Sequence, residues 1–481
     1  MSSMRRTPVF FLACLMTAGF VSAAPAVADP LDDLACSLGP VGGAACAEWL
    51  MRHPGAGLDE LLPVSLLSAD GSVLYQGSGD HFGGCTLAAV DTSAGLLAWS
   101  TGLGGVDDCV WLLDLTESPD GATVYATGLV DGAHNDQAVI FAVDADDGSL
   151  IWSGTHGTAN GFSIAIGAAV STDGARLYLA GATATAPDDD AVDGLVVALD
   201  ATDGTLLWDA VYAHPAGSFD LFLDIAVSAD GTTVYAGGSA TDVHDTTSGD
   251  NEMAYAAAAY DALTGTELWN TTGGATDADF GRRLAVTPDG DSVLVGGNKG
   301  VSAFSSADGS SLWDTIVPGA SDWDDLALFV DLALSPDATT AYLATTRETA
   351  YYDAVLAAFD TSSGLLEWTA SEGTPNEDTL ATGVAVSPDG TSVYLASTGL
   401  RGGSTYVPFL GWVGLPGGSE ATVTVHDVAT GVSSRTVSYT DPLAEYTVAT
   451  DVHADGSAFY MAGVVTVESD QGDFIAAKFT A

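Results

Sequence analysis

Short apolar segments rich in Val, Ile, Leu, Ala and Tyr alternate with polar turns along nearly the whole chain, and none shows a helical period. Such segments read as strands. One phrase recurs between them: a small apolar strand, a Ser-Pro-Asp-Gly-like turn, then a Val-Tyr strand. It stands at Ser68–Gly71, Ser118–Gly121, Ser171–Gly174, Ser228–Gly231, Thr287–Gly290, Ser335–Asp337, Ser387–Gly390 and His453–Gly456. The eight aspartates are 50, 53, 57, 59, 48, 52 and 66 residues apart, room for four short strands and four turns. The turn chemistry is local. Pro presets φ, Asp caps the turn through its side chain, and Gly accepts the positive φ that follows.

A second phrase alternates with the first: Ala-x-Asp, Gly four residues on, Trp eight on. Asp91, Gly95 and Trp99 show it, as do Asp144, Gly148 and Trp152, and Asp200, Gly204 and Trp208. Asp261, Gly265 and Trp269 repeat it, and so do Asp360, Gly364 and Trp368. One copy has Ser305 for the Asp, and another has Arg435 for the Trp. A four-stranded sheet cannot bury both of its faces alone, whereas eight stacked radially can, with Trp as the flat filler between them. The expected fold is therefore all-β: an eight-bladed β-propeller of four-stranded antiparallel blades. The eighth repeat ends after a third strand, near Phe479. Trp49 precedes Asp70 by 21 residues, much as Trp208 precedes Asp230 by 22, and Arg52-His53-Pro54 resembles Ala213-His214-Pro215. The segment Ala44 to Met51 is thus expected to supply the missing outer strand and close the ring.

Composition adds the setting. Arg5 and Arg6, an apolar run from Pro8 to Ala24 and the small residues Ala26-Val27-Ala28 read as a signal peptide over 1–28. A lead-in over 29–43 and a single propeller domain over 44–481 follow, in a secreted, extracellular or cell-surface protein. Four cysteines remain after the leader: Cys36, Cys46, Cys85 and Cys109. Disulfides are expected, Cys36 with Cys46 and Cys85 with Cys109 being the local pairing among three. No Cys-x-x-Cys spacing points to zinc, a redox pair or haem. The chain has 64 acidic against 11 basic residues, a formal charge of −53. That excludes nucleic acid as a partner, because phosphate binding needs Lys and Arg. It fits two settings: a salt-rich medium that screens the self-repulsion, or binding of cations or a basic partner.

The Ala-x-Asp-x-x-x-Gly-x-x-x-Trp phrase, as in Ala198-Leu199-Asp200 to Trp208, resembles the pyrroloquinoline-quinone-like repeat superfamily. The Ser-Pro-Asp-Gly-x-x-Val-Tyr phrase is similar to bacterial propeller repeats of cell-surface proteins. The resemblance covers nearly all of the chain after the leader and implies the propeller. That superfamily holds both quinone dehydrogenases and non-enzymatic scaffolds. Its dehydrogenases imply calcium inside the ring, a catalytic Asp and often a disulfide between adjacent cysteines. No adjacent cysteine pair occurs here, and no residue matches the quinone or catalytic positions. The scaffold branch is therefore expected, without pyrroloquinoline quinone. An extracellular quinone-dependent oxidoreductase is the alternative.

Strand alternation puts both short turns of each repeat on one face. The variable loops and blade links fall on the other face, where binding residues usually sit. Acidic clusters mark it: Asp188, Asp190 and Asp193, then Asp242 and Asp250, with Asp220 and Asp378 in the blade links. Oxygen donors of this density suit calcium, or simply solvate an acidic face. The seventh repeat carries an insertion over 399–419 with Tyr406, Phe409 and Trp412, candidates for anchoring an extracellular protein or glycan. The histidines show no metal-binding spacing, and no catalytic residues stand out. A monomer without a membrane span is expected, since no later stretch has about 18 consecutive apolar residues.

Overall fold

The computed structural model describes residues 47–54, 63–80, 84–104, 109–130, 136–157, 161–184, 192–213, 219–242, 252–273, 280–320, 330–373, 377–400, 404–407, 411–414, 419–441, 446–468 and 471–481. They form eight four-stranded antiparallel blades around one axis. Blade 1 runs through Val64–Leu67, Val73–Asp80, Gly84–Asp91 and Leu96–Gly102, from the innermost strand outward. Blades 2 to 6 repeat that order over 109–156, 162–212, 220–273, 281–316 and 331–372. Blade 7 does so over 378–439, interrupted between its second and third strands by an added hairpin, Ser404–Val407 and Gly411–Gly414. No helix occurs among the described residues.

The two sequence phrases become the two turns of the short-turn face. In the first, the Ser118 hydroxyl donates to Asp120 at 2.7 Å and accepts from the Thr123 amide at 2.9 Å. Asp120 in turn caps the Ala122 amide. The same bonds recur at Ser171 and Asp173 and at Ser387 and Asp389. Blade 6 departs in one atom. Ala338 takes the turn's left-handed position, at φ 54°, where the other copies place glycine.

The second phrase joins blades. Each indole lies across the glycine of the next blade's Asp-x-x-x-Gly turn. A Cβ on Gly148, at φ 73°, would sit 2.5 Å from the Trp99 ring. Glycine is thus required there twice over, for backbone sign and for space. Each indole N–H then donates to a carbonyl of the same neighbouring turn, Trp99 to Ala145, Trp152 to Ala201 and Trp208 to Ala262, at 2.9 to 3.2 Å. Trp269, Trp313 and Trp368 continue the series to Ser306, Thr361 and Val428. Tyr75, Tyr125, Tyr178, Tyr235 and Tyr342, one per blade, pack against the Trp of their own blade at 5.9 to 6.1 Å. Buried Ala, Val and Leu of the second and third strands fill the space between sheets.

The ring closes through the N-terminal segment, a few residues later than the spacing suggested. The strand Trp49–Pro54, which overlaps the expected Ala44 to Met51 at Trp49 to Met51 and runs on to Pro54, pairs antiparallel with Gln471–Thr480, the third strand of blade 8, matching Trp49 with Lys478 and Pro54 with Asp473. The register is fixed by side chains. Trp49 completes the tryptophan series, covering Gly95 and donating to the Thr92 carbonyl at 2.9 Å. Arg52 bridges Asp473 and, at 2.7 Å, Asp441. Blade 7 has Arg435 in place of Trp. Its guanidinium lies over the Phe459 ring and donates to the Thr480 carbonyl at 2.6 Å. A disulfide joins Cys85 of blade 1 to Cys109 of blade 2. Cys36 and Cys46, like the leader and lead-in over 1–43, lie outside the described residues.

Two outcomes follow. Trp49→Ala is expected to cost about 3 kcal/mol in urea unfolding, and removal of the chain through residue 60 to lower the melting temperature further. A truncated protein that melts like the full chain would refute closure by this strand. Ala338→Gly should instead stabilise by up to about 1 kcal/mol, since an L-residue is disfavoured in the left-handed region; a melting curve unchanged or lowered would show that Ala338 is unstrained.

Candidate functional site

The innermost strand of each blade leaves one backbone edge unpaired along the axis, and unpaired strand edges need blocking. Here carboxylates block it. Six of the inner strands carry a bulge at one recurring point, as between Leu112 and Asp114 or Phe222 and Asp224. The residue after it alternates around the ring. Blades 2, 4, 6 and 8 place Asp114, Asp224, Asp331 and Asp451 at this level, and blades 3, 5 and 7 place Gly167, Arg283 and Gly383. Asp114 accepts from the Ala168 amide of the next blade at 2.7 Å. Asp224 does the same to Leu284 at 2.8 Å and Asp331 to Val384 at 2.9 Å. Asp224 and Asp451 also cap the amides that follow them, Ile225 and Val452. The small residues are needed opposite: a Cβ on Gly383 would lie 2.7 Å from an Asp451 carboxylate oxygen. The carboxylates thus clasp the blades in pairs.

The charges on the axis act on one another. Burial pushes the Asp114 carboxyl up to about 7; Asp224 adds to the shift and Arg283 opposes it. Burial also raises Asp224 and Asp451. Arg282, at the bulge itself, is lowered to about 10 by burial and then by its neighbour Arg283. Arg283 is also penalised by burial, but Asp331, Asp224 and Asp114 outweigh that and hold it above the ordinary guanidinium value. Its Nε donates to Asp331 at 3.1 Å.

One corner of the axis brings Ser, His and Asp together. Ser65 Oγ lies 2.8 Å from His453 Nε2, and Asp451 Oδ2 lies 3.4 Å from the same nitrogen. A nucleophilic triad needs the serine on one ring nitrogen and the carboxylate on the other. Here both face Nε2, and Ser65 donates to Asp451 directly at 3.2 Å. The group is a clasp between blades 8 and 1.

The sites expected from sequence are distributed differently. Asp193 begins the third strand of blade 3, opposite Thr183. Asp242 ends the second strand of blade 4, opposite Glu252. Asp188, Asp190 and Asp250 lie outside the described residues. Among the described residues no three His, Cys, Asp or Glu side chains converge in a metal-holding group. Two link acids have backbone partners: Asp220 is buried and accepts from Thr241, and Asp378 accepts from Tyr352. In the blade 7 insertion Tyr406 and Trp412 are directly opposed in the hairpin ladder, and Phe409 lies outside the described residues. The axial ring is absent from the sequence-based candidates. Its trace was an Asp six residues before the turn Asp in alternate repeats, at Asp114, Asp224 and Asp331.

With this geometry in hand, comparison with known proteins decides the family. The family profile described as outer membrane protein assembly factor BamB, built of pyrroloquinoline-quinone-like repeats, matches residues 83–250 and 136–406. The chain belongs to this family. No curated protein matches it by sequence. Among solved structures, BamB from Moraxella catarrhalis is similar at 14% identity, over 90% of this chain and 99% of that one, with a TM-score of 0.50. Sqt1 from Chaetomium thermophilum, bound to the N-terminus of ribosomal protein L10, is similar at 15% identity over 89% and 98%, with a TM-score of 0.55. Quinohemoprotein alcohol dehydrogenase from Comamonas testosteroni gives 13%, 90% and 76%, with 0.52. At these identities the likeness to each is one of fold. Within the BamB-like family this chain is a propeller scaffold whose axial polar groups are turned toward neighbouring blades.

Stability should report the axial ring. Asp114 keeps its proton in the fold to about pH 7, whereas an unfolded Asp loses it near about pH 4. Between those values the folded state binds more protons, so this group's contribution to stability falls as pH rises and levels off above the folded value. Asp114→Asn keeps an acceptor and removes the titration. In concentrated salt, the wild-type melting temperature should fall more between about pH 5 and about pH 8 than that of the variant. Parallel profiles would mean that Asp114 titrates as a solvent-exposed carboxylate.

Proposed function

We propose that this protein is an exported, non-catalytic binding scaffold that receives an extracellular protein or glycan on its variable-loop face. The observation that carries this reading is the asymmetry of the connections. On one face the turns are short and closed by their own hydrogen bonds, as at Ser118 and Asp120. On the other face the second-to-third-strand connection ranges from the short step between Gly297 and Gly300 to the inserted hairpin between Leu400 and Ser419. A rigid ring with one uniform and one varied face suits recognition, where variation changes the partner without disturbing the core. Membership of a BamB-like family, and fold likeness to a propeller solved with a protein segment bound, support a protein partner. Calcium would rigidify the acidic loops around Asp188 to Asp193 and Asp242 to Asp250. The axial carboxylates hold amides, which supports a structural role for them rather than a catalytic one.

Two measurements test this. A photo-crosslinking side chain at Trp412 should give a discrete adduct in the native secretion, and one at the exposed Ser100, on the outer strand of blade 1, should not; equal labelling at both would remove the preference for the variable-loop face. Titration of the mature protein with pyrroloquinoline quinone and calcium should leave tryptophan fluorescence unchanged. Saturable quenching with dye-linked alcohol oxidation would replace the scaffold reading with a quinone-dependent oxidoreductase.

A further inference from the structure

The opposite, short-turn face carries a feature that the variable-loop reading does not use. Where each outer strand leaves its turn, beside the docked indole, large apolar side chains stand in solvent. Ile151, Leu207, Leu268 and Leu312, each the residue directly before the docked Trp on blades 2 to 5, are between 44% and 54% exposed. Scattered exposed leucines need no explanation, but a row repeated in register around a rim marks an interaction surface.

Between blades 2 and 3 the rim opens into a cleft of about 380 Å³. Ile151, Tyr125, Pro119 and the edge of Trp152 line its walls, with Asp120 from one blade's turn and Asp173 from the next. Ser118 and Ser171, each donating to its aspartate, hold both carboxyls below the ordinary range, so both are ionised at neutral pH. The Trp152 ring has Tyr125 against it at 6.1 Å and rests on Gly204. The cleft therefore offers an indole edge and an aliphatic wall rather than a stacking face. A sugar ring or a base has little to stack on. An aliphatic stem ending in a cation has a wall for its methylenes and two carboxylates for its head. The same turn pair flanks Trp99, between Asp70 and Asp120, and Trp208, between Asp173 and Asp230.

We propose that the short-turn rim docks a basic, leucine-rich segment of a partner protein. Its apolar side chains lie on the row from Ile151 to Leu207, and a Lys or Arg stem enters the cleft between Asp120 and Asp173. Charge complementarity selects this occupant. A chain of net charge −53 attracts cationic segments over long range and repels an anionic membrane. A second copy would set aspartate turns against aspartate turns.

The test is anisotropy titration of the mature protein with a labelled peptide repeating Leu-Lys-Lys-Leu, beside oligolysine and a Leu-Glu-Glu-Leu repeat. Saturable binding is expected for the first peptide alone. The double variant Ile151→Ser with Leu207→Ser, both exposed and so compatible with the fold, should bind at least tenfold more weakly while melting like the parent. Asp120→Asn with Asp173→Asn should flatten the salt dependence of binding. Trp412→Ser, on the other face, should change nothing, which separates this surface from the variable-loop site. The proposal is overturned if oligolysine binds equally well, if the Ser variant keeps parental affinity, or if the protein sediments as a rim-dependent dimer that excludes the peptide.

Discussion

An indole laid across a left-handed glycine of the next blade is the contact on which the ring depends. It joins two sheets that share no ladder hydrogen bonds. It combines a large apolar face with one directed bond, from the ring N–H to a turn carbonyl. Seven tryptophans, from Trp49 to Trp368, do this in the same way. The exception falls at the seam. Blade 8 takes its outer strand from Trp49–Pro54, so no Asp-x-x-x-Gly turn joins its third and fourth strands beside blade 7. There Arg435 reaches the backbone of the terminal strand instead, bonding the Thr480 carbonyl from above the Phe459 ring. Arg in place of Trp thus goes with a neighbouring blade whose outer strand is supplied by Trp49–Pro54.

The few cations are concentrated where elements must be joined. Arg52, Lys478 and Arg435 surround the closing strand, pairing with Asp441 and Asp473, with Glu48 and with the Thr480 carbonyl respectively. Arg282 and Arg283 sit on the axis, where the carboxylate ring would otherwise carry only negative charge. In so acidic a chain a surface ion pair contributes little. A half-buried pair that fixes the register of a terminal strand matters more, because breaking it leaves a carboxylate without its partner. The acidic excess is thus left to the turns and loops, where it can hydrate the surface and attract basic partners.

Both faces can then act independently. The varied face changes by insertion, as blade 7 has with its Ser404–Val407 and Gly411–Gly414 hairpin, without touching a turn that holds an indole. The uniform face cannot vary its Asp-x-x-x-Gly turns, since each glycine there is fixed by φ and by the indole lying on it, but it can vary the exposed positions beside Trp. Leucine and isoleucine at those positions are a choice that the fold does not require.

Local chemistry made most of the architecture legible from sequence. The Pro-Asp-Gly and Asp-x-x-x-Gly turns need nothing beyond a few neighbouring residues, so their eightfold spacing determined the blades, the strand order and the two faces. Trp49 betrayed the closing strand for the same reason. The register of that strand was not legible, because it depends on Arg52 meeting Asp441 and Asp473, some four hundred residues away. The axial clasp was also decided only by tertiary structure. Asp114, Asp224, Asp331 and Asp451 look like any acid in an acidic chain, until a bulge aims each at the free edge of the next inner strand. Which leucines stay exposed was equally hidden: Leu207 lies beside Trp208 in the chain, yet only packing against the next blade covers the indole and leaves the leucine in water. Sequence determines what can be settled within a turn; the ring determines whatever depends on which blade comes next.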